Sequence, residues 1–531
     1  MRQSLREKLL KTETGEQWMR IREGNHHGIA LALSSVRSEK SCGIGEYLDL
    51  IPLIQFCQEI GFSILQLLPI NDTGLGVSPY DSISAYALNP LFLSLTALPE
   101  LERIPNYTEK LSKVAYWNRT NRVKFHIVRE LKNVFFKEYI PTVFPILSEH
   151  TDYTNFLKEH QSWLESYALF KALKEKNFWK SWEDWPSLHK TPSQTTYKDL
   201  LDEHKEACNF HKMLQFLCFS QLTQVKKFAN KHDVLLKGDI PILISRDSAD
   251  VWRWRHLFWL HLAAGVPPDM YTREGQHWGF PLYDWNQMEK EGYEWWQERV
   301  KIASLLYNLY RIDHVVGFFR MWGIPLGSLP KDGCFYPADE ESWVLNGKKL
   351  MEMIVKAAPI LPIGEDLGIV SWEIKQCLCD MGIAGTKLMR WERRYETDGG
   401  FISPEDYEPI SMTTVSTHDS DTLQLWWRHY PKEAKLFSEF KGWDYKPFLT
   451  LERQREILRD SHTSASIFHI NLLQEYLALF PDLVSENPSD ERINIPGKIL
   501  DANWTYRFRP TVEQIVGNIA LKELMRTIIH T

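Results

Sequence analysis

The sequence predicts a (β/α)8 TIM barrel enlarged by large, mainly helical insertions, and three observations predict it. Short apolar, β-branched runs recur along the 531 residues. Most are followed by helical periodicity, the alternation that produces a parallel sheet with crossover helices. Acidic residues also stand at the ends of three such runs.

Taken in order, the first strand is expected from Gly28, leading through a glycine-containing loop into an amphipathic helix over 46–60. A second strand starts at Phe62 and a third at Val234. The fourth, from Tyr310, follows a helical stretch over 287–309. A fifth from Pro359, a helix over 371–381, a sixth strand from Gly385 and a seventh from Met412 continue the pattern. An eighth is expected near 496–502, and eight parallel strands suit a closed barrel better than an open sheet. Between about 98 and 230 the chain turns Lys/Glu-rich, Trp-rich and helical in period, and reads as a helical insertion between the second and third strands. The expected organisation is an N-terminal extension over 1–27 and one catalytic barrel over 28–531. No internal repeat or Gly/Ser linker marks off a further module.

Composition narrows the class. Hydrophobic content of 44% and charged content of 25% are those of an ordinary folded protein. A net charge of −7 argues against nucleic-acid and anionic-membrane partners. No apolar run reaches the ~18 residues of a spanning helix, and the charged start, MRQSLREKLL, has no apolar signal-peptide core. The seven cysteines are odd in number and scattered, which suits reduced thiols in the cytoplasm. No metal or other cofactor is expected, since no ligand cluster has the right spacing. The 21 tryptophans are the unusual feature, because flat indole faces stack on the C–H faces of sugar rings. An aromatic core would account for many of them equally well.

The chemistry is read from three carboxylates. Asp313 closes Tyr-Arg-Ile-Asp, Glu365 follows Leu-Pro-Ile-Gly, and Asp419 follows Val-Ser-Thr-His. The C-terminal ends of barrel strands converge on one cleft, so three strands would aim three acids into it. Any one acid there is more often a helix cap or a loop ion pair; the three together, beside Arg311 and His418, point to a site. Glycoside chemistry needs two carboxyl groups across the scissile bond, one protonated and one ionised. Arg311, two residues before Asp313, shares its face of the strand and would keep it ionised. Glu365, in an apolar strand beside Asp366, would have its pKa raised, as suits an acid/base.

These segments resemble the 4-α-glucanotransferases, the amylomaltase or disproportionating-enzyme family of the α-amylase superfamily. RIDH at 311–314, GEDLG at 364–368 and STHDSDT at 416–422 are similar to its catalytic segments. AGVPPD at 264–269 with GQHWGFPLYDW at 275–285 resembles its active-site loop, placed at about 264–285. LLPIND at 67–72 and SPYDSISAYALNP at 78–90 resemble its N-terminal substrate segment. The resemblance implies Asp313 as nucleophile, Glu365 as acid/base and Asp419 as transition-state stabiliser. It makes Arg311 and His418 supporting groups, and Tyr80, Asp269, Gln276 and Trp278 sugar-binding residues. Phe280 and Ser420 stand where many members carry Asn. With PINDT at 69–73 and GFFR at 317–320, Phe280 is closer to the branch of the plant cytosolic enzyme, which implies maltose as donor and glycogen or branched glucan as acceptor. The partners expected are therefore malto-oligosaccharides, glucose and glycogen. An α-glucan hydrolase would use the same nucleophile and acid, and a non-catalytic glucan-binding protein could keep the fold; intact carboxylates favour an enzyme, and the family favours transfer.

Overall fold

The computed structural model describes residues 2–268 and 273–530. Eight parallel strands form one sheet: β1 (His26–Leu31), β2 (Ile64–Leu67), β3 (Leu235–Pro241), β4 (Leu309–Asp313), β5 (Leu361–Gly364), β6 (Gly385–Leu388), β7 (Ser411–Thr414) and β8 (Phe468–Leu472). Neighbours follow chain order, and β8 returns to pair with β1. Between β5 and β6 the seam is narrow but shut: Ile363 bridges to Ala384, and the Gly364 N–H donates to the Ala384 carbonyl at 2.8 Å. β2, β5, β7 and β8 are buried along their whole length, as strands covered by helices outside and side chains inside must be.

The first seven strands fall where the apolar runs predict them. The eighth does not. Residues 496–502 form turn and loop, with Ile499 and Leu500 exposed, and the strand lies at 468–472 instead. That segment, Phe-His-Ile-Asn-Leu, breaks its apolar run with His469 and Asn471, both fully buried. Burial is tolerated because both are hydrogen-bonded. Nδ1 of His469 lies 2.7 Å from the Ser461 carbonyl, and Asn471 takes the Val415 N–H at 2.9 Å while donating to Ser461 Oγ.

The helices expected over 46–60, 287–309 and 371–381 appear as Leu50–Glu59, Glu294–Leu306 and Trp372–Asp380. Between β2 and β3 run the helices Tyr107–Ala115, Phe125–Leu147, Thr151–Glu159, Gln161–Lys176, Gln194–Glu203 and Lys205–Lys231. The last lies against Leu50–Glu59 and Glu294–Leu306, so it serves as the crossover into β3. At the other end of the chain, Arg2–Leu9 and Gly15–Met19 close the floor. There the buried Trp18 indole donates to the Gly382 carbonyl at 2.9 Å, just before β6 begins. Above the strand ends sits a four-stranded antiparallel sheet of Cys334–Tyr336, Met321–Pro325, Leu262–Val266 and Gln276–His277. No helix among the described residues is long and apolar enough to cross a membrane.

Candidate active site

Register decides which side chains meet. β3 pairs with β4 so that Asp239 stands opposite Arg311, and β4 pairs with β5 so that Ile312 stands opposite Gly364. Asp313 ends β4, and Glu365 is the first residue beyond β5, its N–H donating to the Ile312 carbonyl at 2.9 Å. Two carboxylates thus emerge side by side from adjacent strands.

Arg311 is the hub between them. Its Nη2 lies 2.7 Å from Asp313 Oδ1 and 3.8 Å from Glu365 Oε2. Its Nη1 donates to both oxygens of Asp239 at 3.0 Å. The facing oxygens of Asp313 and Glu365 are therefore no farther apart than the two Nη2 legs laid end to end, about 6.5 Å. Burial of the guanidinium works against its charge, but Asp239 and Asp313 more than offset this and hold its pKa well above the ordinary value. A buried cation with three acids around it stays charged and fixes their geometry.

Glu365 is held by the backbone as well. Oε2 accepts the His314 N–H at 2.8 Å and Oε1 the Leu367 N–H at 2.9 Å. Its pKa is pushed up to about 7, first by burial, against the pull of Arg311, and then by the neighbouring charge of Asp313. Asp366, the neighbour suggested by the sequence, is not among the main causes of that shift. It faces the seam, where Oδ1 takes the Thr386 N–H at 2.7 Å.

Asp419 forms the other side. Its Oδ1 accepts from Asn494 Nδ2 at 2.7 Å, and Oδ2 lies 3.3 Å from His418 Nε2. Its side chain is 45% exposed, so the desolvation that would raise its pKa is outweighed, and His418 with the Asn494 hydrogen bond holds it down at about 2. The His418 ring stacks on Tyr80 with centroids 5.1 Å apart, and Trp504 packs on both rings. Tyr80 in turn donates its hydroxyl to Asp239 at 2.8 Å, which closes the circuit back to Arg311. The segment that carries Tyr80 is fixed from the helical layer between β2 and β3. Lys171 and Tyr167 both hold Asp72, at 2.9 and 2.7 Å, and Arg129 donates to the Gly76 carbonyl at 2.8 Å.

Of the residues singled out by sequence, Asp313, Glu365, Asp419, Arg311, His418 and Tyr80 come together. Gln276 and Trp278 lie on or beside the upper sheet, where the Trp278 indole donates to Gln276 Oε1 at 3.0 Å. The Trp278 ring meets His314 edge to face at 5.1 Å, so the loop touches the residue whose N–H holds Glu365. Asp269 lies outside the described residues. Sequence reasoning missed Asp239, although an acid near the end of β3 repeats the signal that revealed the others. It also missed Asn494 and Trp504. They flank 496–502, the stretch whose apolar residues suggested an eighth strand but which folds as turn and loop, and Trp504 adopts a left-handed φ of 65° that its sequence does not announce.

A family model described as 4-alpha-glucanotransferase matches residues 31–513. A 4-alpha-glucanotransferase of Chlamydia pneumoniae is 46% identical over 499 residues, covering 94% of both chains. The 4-alpha-glucanotransferase DPE2 of Oryza sativa subsp. japonica is 24% identical over 94% of this chain and 68% of its own length. Among solved structures, an amylomaltase from Streptococcus agalactiae in complex with acarbose superposes with a TM-score of 0.82 at 23% identity, covering 95% of this chain and 99% of that one.

Proposed function

The chain belongs to the 4-alpha-glucanotransferase family, and from that premise we propose how its site carries out α-1,4-glucan transfer. Transfer, rather than hydrolysis, is the activity of the family. In our reading, Asp313 attacks the anomeric carbon of a donor glucan while Glu365 gives its proton to the departing glycosidic oxygen. The C–O bond breaks, the shortened glucan leaves, and a glycosyl ester remains on Asp313. An acceptor 4-hydroxyl then attacks the same carbon and returns its proton to Glu365 as the ester bond to Asp313 breaks. Both displacements invert, so the anomeric configuration is retained. Asp419, with its pKa near 2, is ionised throughout and faces the developing positive charge.

The observation that carries this reading is the Arg311 bridge. Contacts of 2.7 and 3.8 Å on one nitrogen hold the facing oxygens within about 6.5 Å of each other, a bound that admits the ~5–5.5 Å of a retaining pair and meets only the lower edge of the ~6.5–9.5 Å of an inverting one. The raised pKa of Glu365 supports its place as the proton donor. Tyr80, His418 and Trp504 offer aromatic faces for sugar rings, and Trp278 with Gln276 stands as the acceptor loop, to which Asp269 is assigned by resemblance.

The donors are malto-oligosaccharides and the acceptors glucose, shorter glucans and glycogen. The Streptococcus agalactiae amylomaltase in complex with acarbose supports that choice of substrate class. The catalytic unit spans 28–531, with the helices of 98–230 inserted in it and 1–27 as an N-terminal extension. Seven free thiols suit a cytoplasmic location.

Incubation with maltotriose tests the assignment. The expected products are a ladder of longer glucans with glucose or maltose and no net rise in reducing ends. Trp278→Ala should raise the hydrolysed fraction several-fold, because water then reaches the intermediate in place of a bound acceptor. Reducing ends rising in step with substrate loss in the wild type would overturn the reading.

A further inference from the structure

A second pocket lies on the barrel top, apart from the carboxylates, beneath the edge of the upper antiparallel sheet. Its walls include Trp259, Tyr283, Trp285 and Tyr336, and its rim Asn286, Glu289, Asn346 and Lys349. The cavity measures about 170 Å³. That is below the ~300–1,000 Å³ of drug-sized sites, so it admits a single ring rather than a chain.

The chemistry of the walls selects the ring. Lys349 pairs with Glu289, so the rim carries no net charge and favours neither an anion nor a cation. The aromatic side chains offer flat apolar surface. Yet the polar groups beside them are unspent: among the described residues, the indole N–H groups of Trp259 and Trp285 and the side-chain amides of Asn286 and Asn346 have no hydrogen-bond partner. Two donors and two amides with both donor and acceptor capacity, set against aromatic faces, match a neutral polyhydroxylated ring with one apolar side.

The pocket also shares its wall with the active site. Gly317, Phe318 and Met321 line it, and the same segment begins at His314, which holds Glu365 and touches Trp278. Leu282 and Tyr283 line it too, directly after the Trp278 loop. An occupant would therefore brace the loop on which acceptors are proposed to bind.

We infer that this pocket is a second, non-catalytic glucosyl-binding site, which takes one terminal glucose unit of a glucan. The inference rests on the glucan-transfer reading for the identity of the sugar. Titration of maltose into the Asp313→Asn protein, which cannot consume it, tests the site by calorimetry. Two classes of binding site are expected. Adding Asn286→Ala with Asn346→Phe should weaken one class at least tenfold and leave the other. If the bulkier replacement lowers the melting temperature, Asn346→Ala with Asn286→Ala carries the same test, since Asn346 is exposed on its helix. A single class that survives both substitutions overturns the inference. A single class abolished by them supports the pocket and counts instead against the assigned active site. The maltotriose experiment on the wild type judges the transfer reading separately, since it does not depend on the pocket.

Discussion

The two sides of the candidate site are built differently. Asp313 and Glu365 stand at the ends of neighbouring strands, and sheet register with backbone N–H groups sets their separation. Asp419 lies beyond its strand, and its carboxylate is held by Asn494 and His418, with Trp504 and Tyr80 stacked behind. The first side is fixed by the barrel. The second is assembled from loops that meet only in the folded molecule. The difference also separates their titration: burial lifts Glu365 to about 7, while close partners hold Asp419 near 2. A carboxyl that titrates near 7 and one held ionised thus arise from the same functional group, through desolvation on one side and a neighbouring histidine with hydrogen bonds on the other.

The largest expected effect breaks the first side. Asp313→Asn should lower kcat by about 10⁴-fold, or ~5.4 kcal/mol at 1.36 kcal/mol per decade, with the melting temperature little changed. Retention of a tenth of wild-type turnover on maltotriose would remove Asp313 as the nucleophile.

Glu365→Gln comes next, with a loss of ~10²–10⁴-fold on glucans. Activity should return in part with α-glucosyl fluoride, whose leaving group needs no proton. In the wild type kcat/KM should fall as pH rises through about 7, and that limb should vanish in the variant. The stability sign follows from the same shift. A folded pKa above the ordinary carboxylate value means that the stabilisation is full at low pH and is lost as pH rises through about 7. For Asp419 the order reverses: its contribution is present above the ordinary value of ~3.9 and is lost as pH falls through about 2. Equal losses of Glu365→Gln on both donor types would show that Glu365 is not the acid.

Asn494→Ala tests the second side and should cost less, on the order of 10-fold in kcat/KM, the scale of one charge-assisted hydrogen bond. Because the amide helps hold Asp419 down, its removal should move the acid limb of the pH profile upward. An unchanged acid limb would mean that His418 and Arg311 set the charge of Asp419 without Asn494.

Much of the first side is legible in the sequence. Tyr-Arg-Ile-Asp and Leu-Pro-Ile-Gly-Glu are short apolar runs with an acid at the end, and the two-residue period of a strand already puts Arg311 on the face of Asp313. That Arg311 also holds Asp239 is not legible, because it depends on which strand lies beside β4 and in what register. The raised pKa of Glu365 is anticipated, but its charged neighbour is Asp313, across the strand gap, rather than Asp366, next along the chain.

What the sequence alone determines is local: where apolar runs begin and end, how often they recur, and which acids close them. These follow from the periods of strand and helix, and seven of the eight strands were readable from them. The eighth escaped because His469 and Asn471 interrupt its apolar run, and only the folded environment supplies the partners that make their burial tolerable. Tertiary structure alone decides the pairing of Asp419 with Asn494, the ring stack of Tyr80, His418 and Trp504, and the pocket beside Trp285. Each of these depends on contacts between residues far apart in the chain, and a hydrogen bond or a ring contact leaves no period in the sequence to be read.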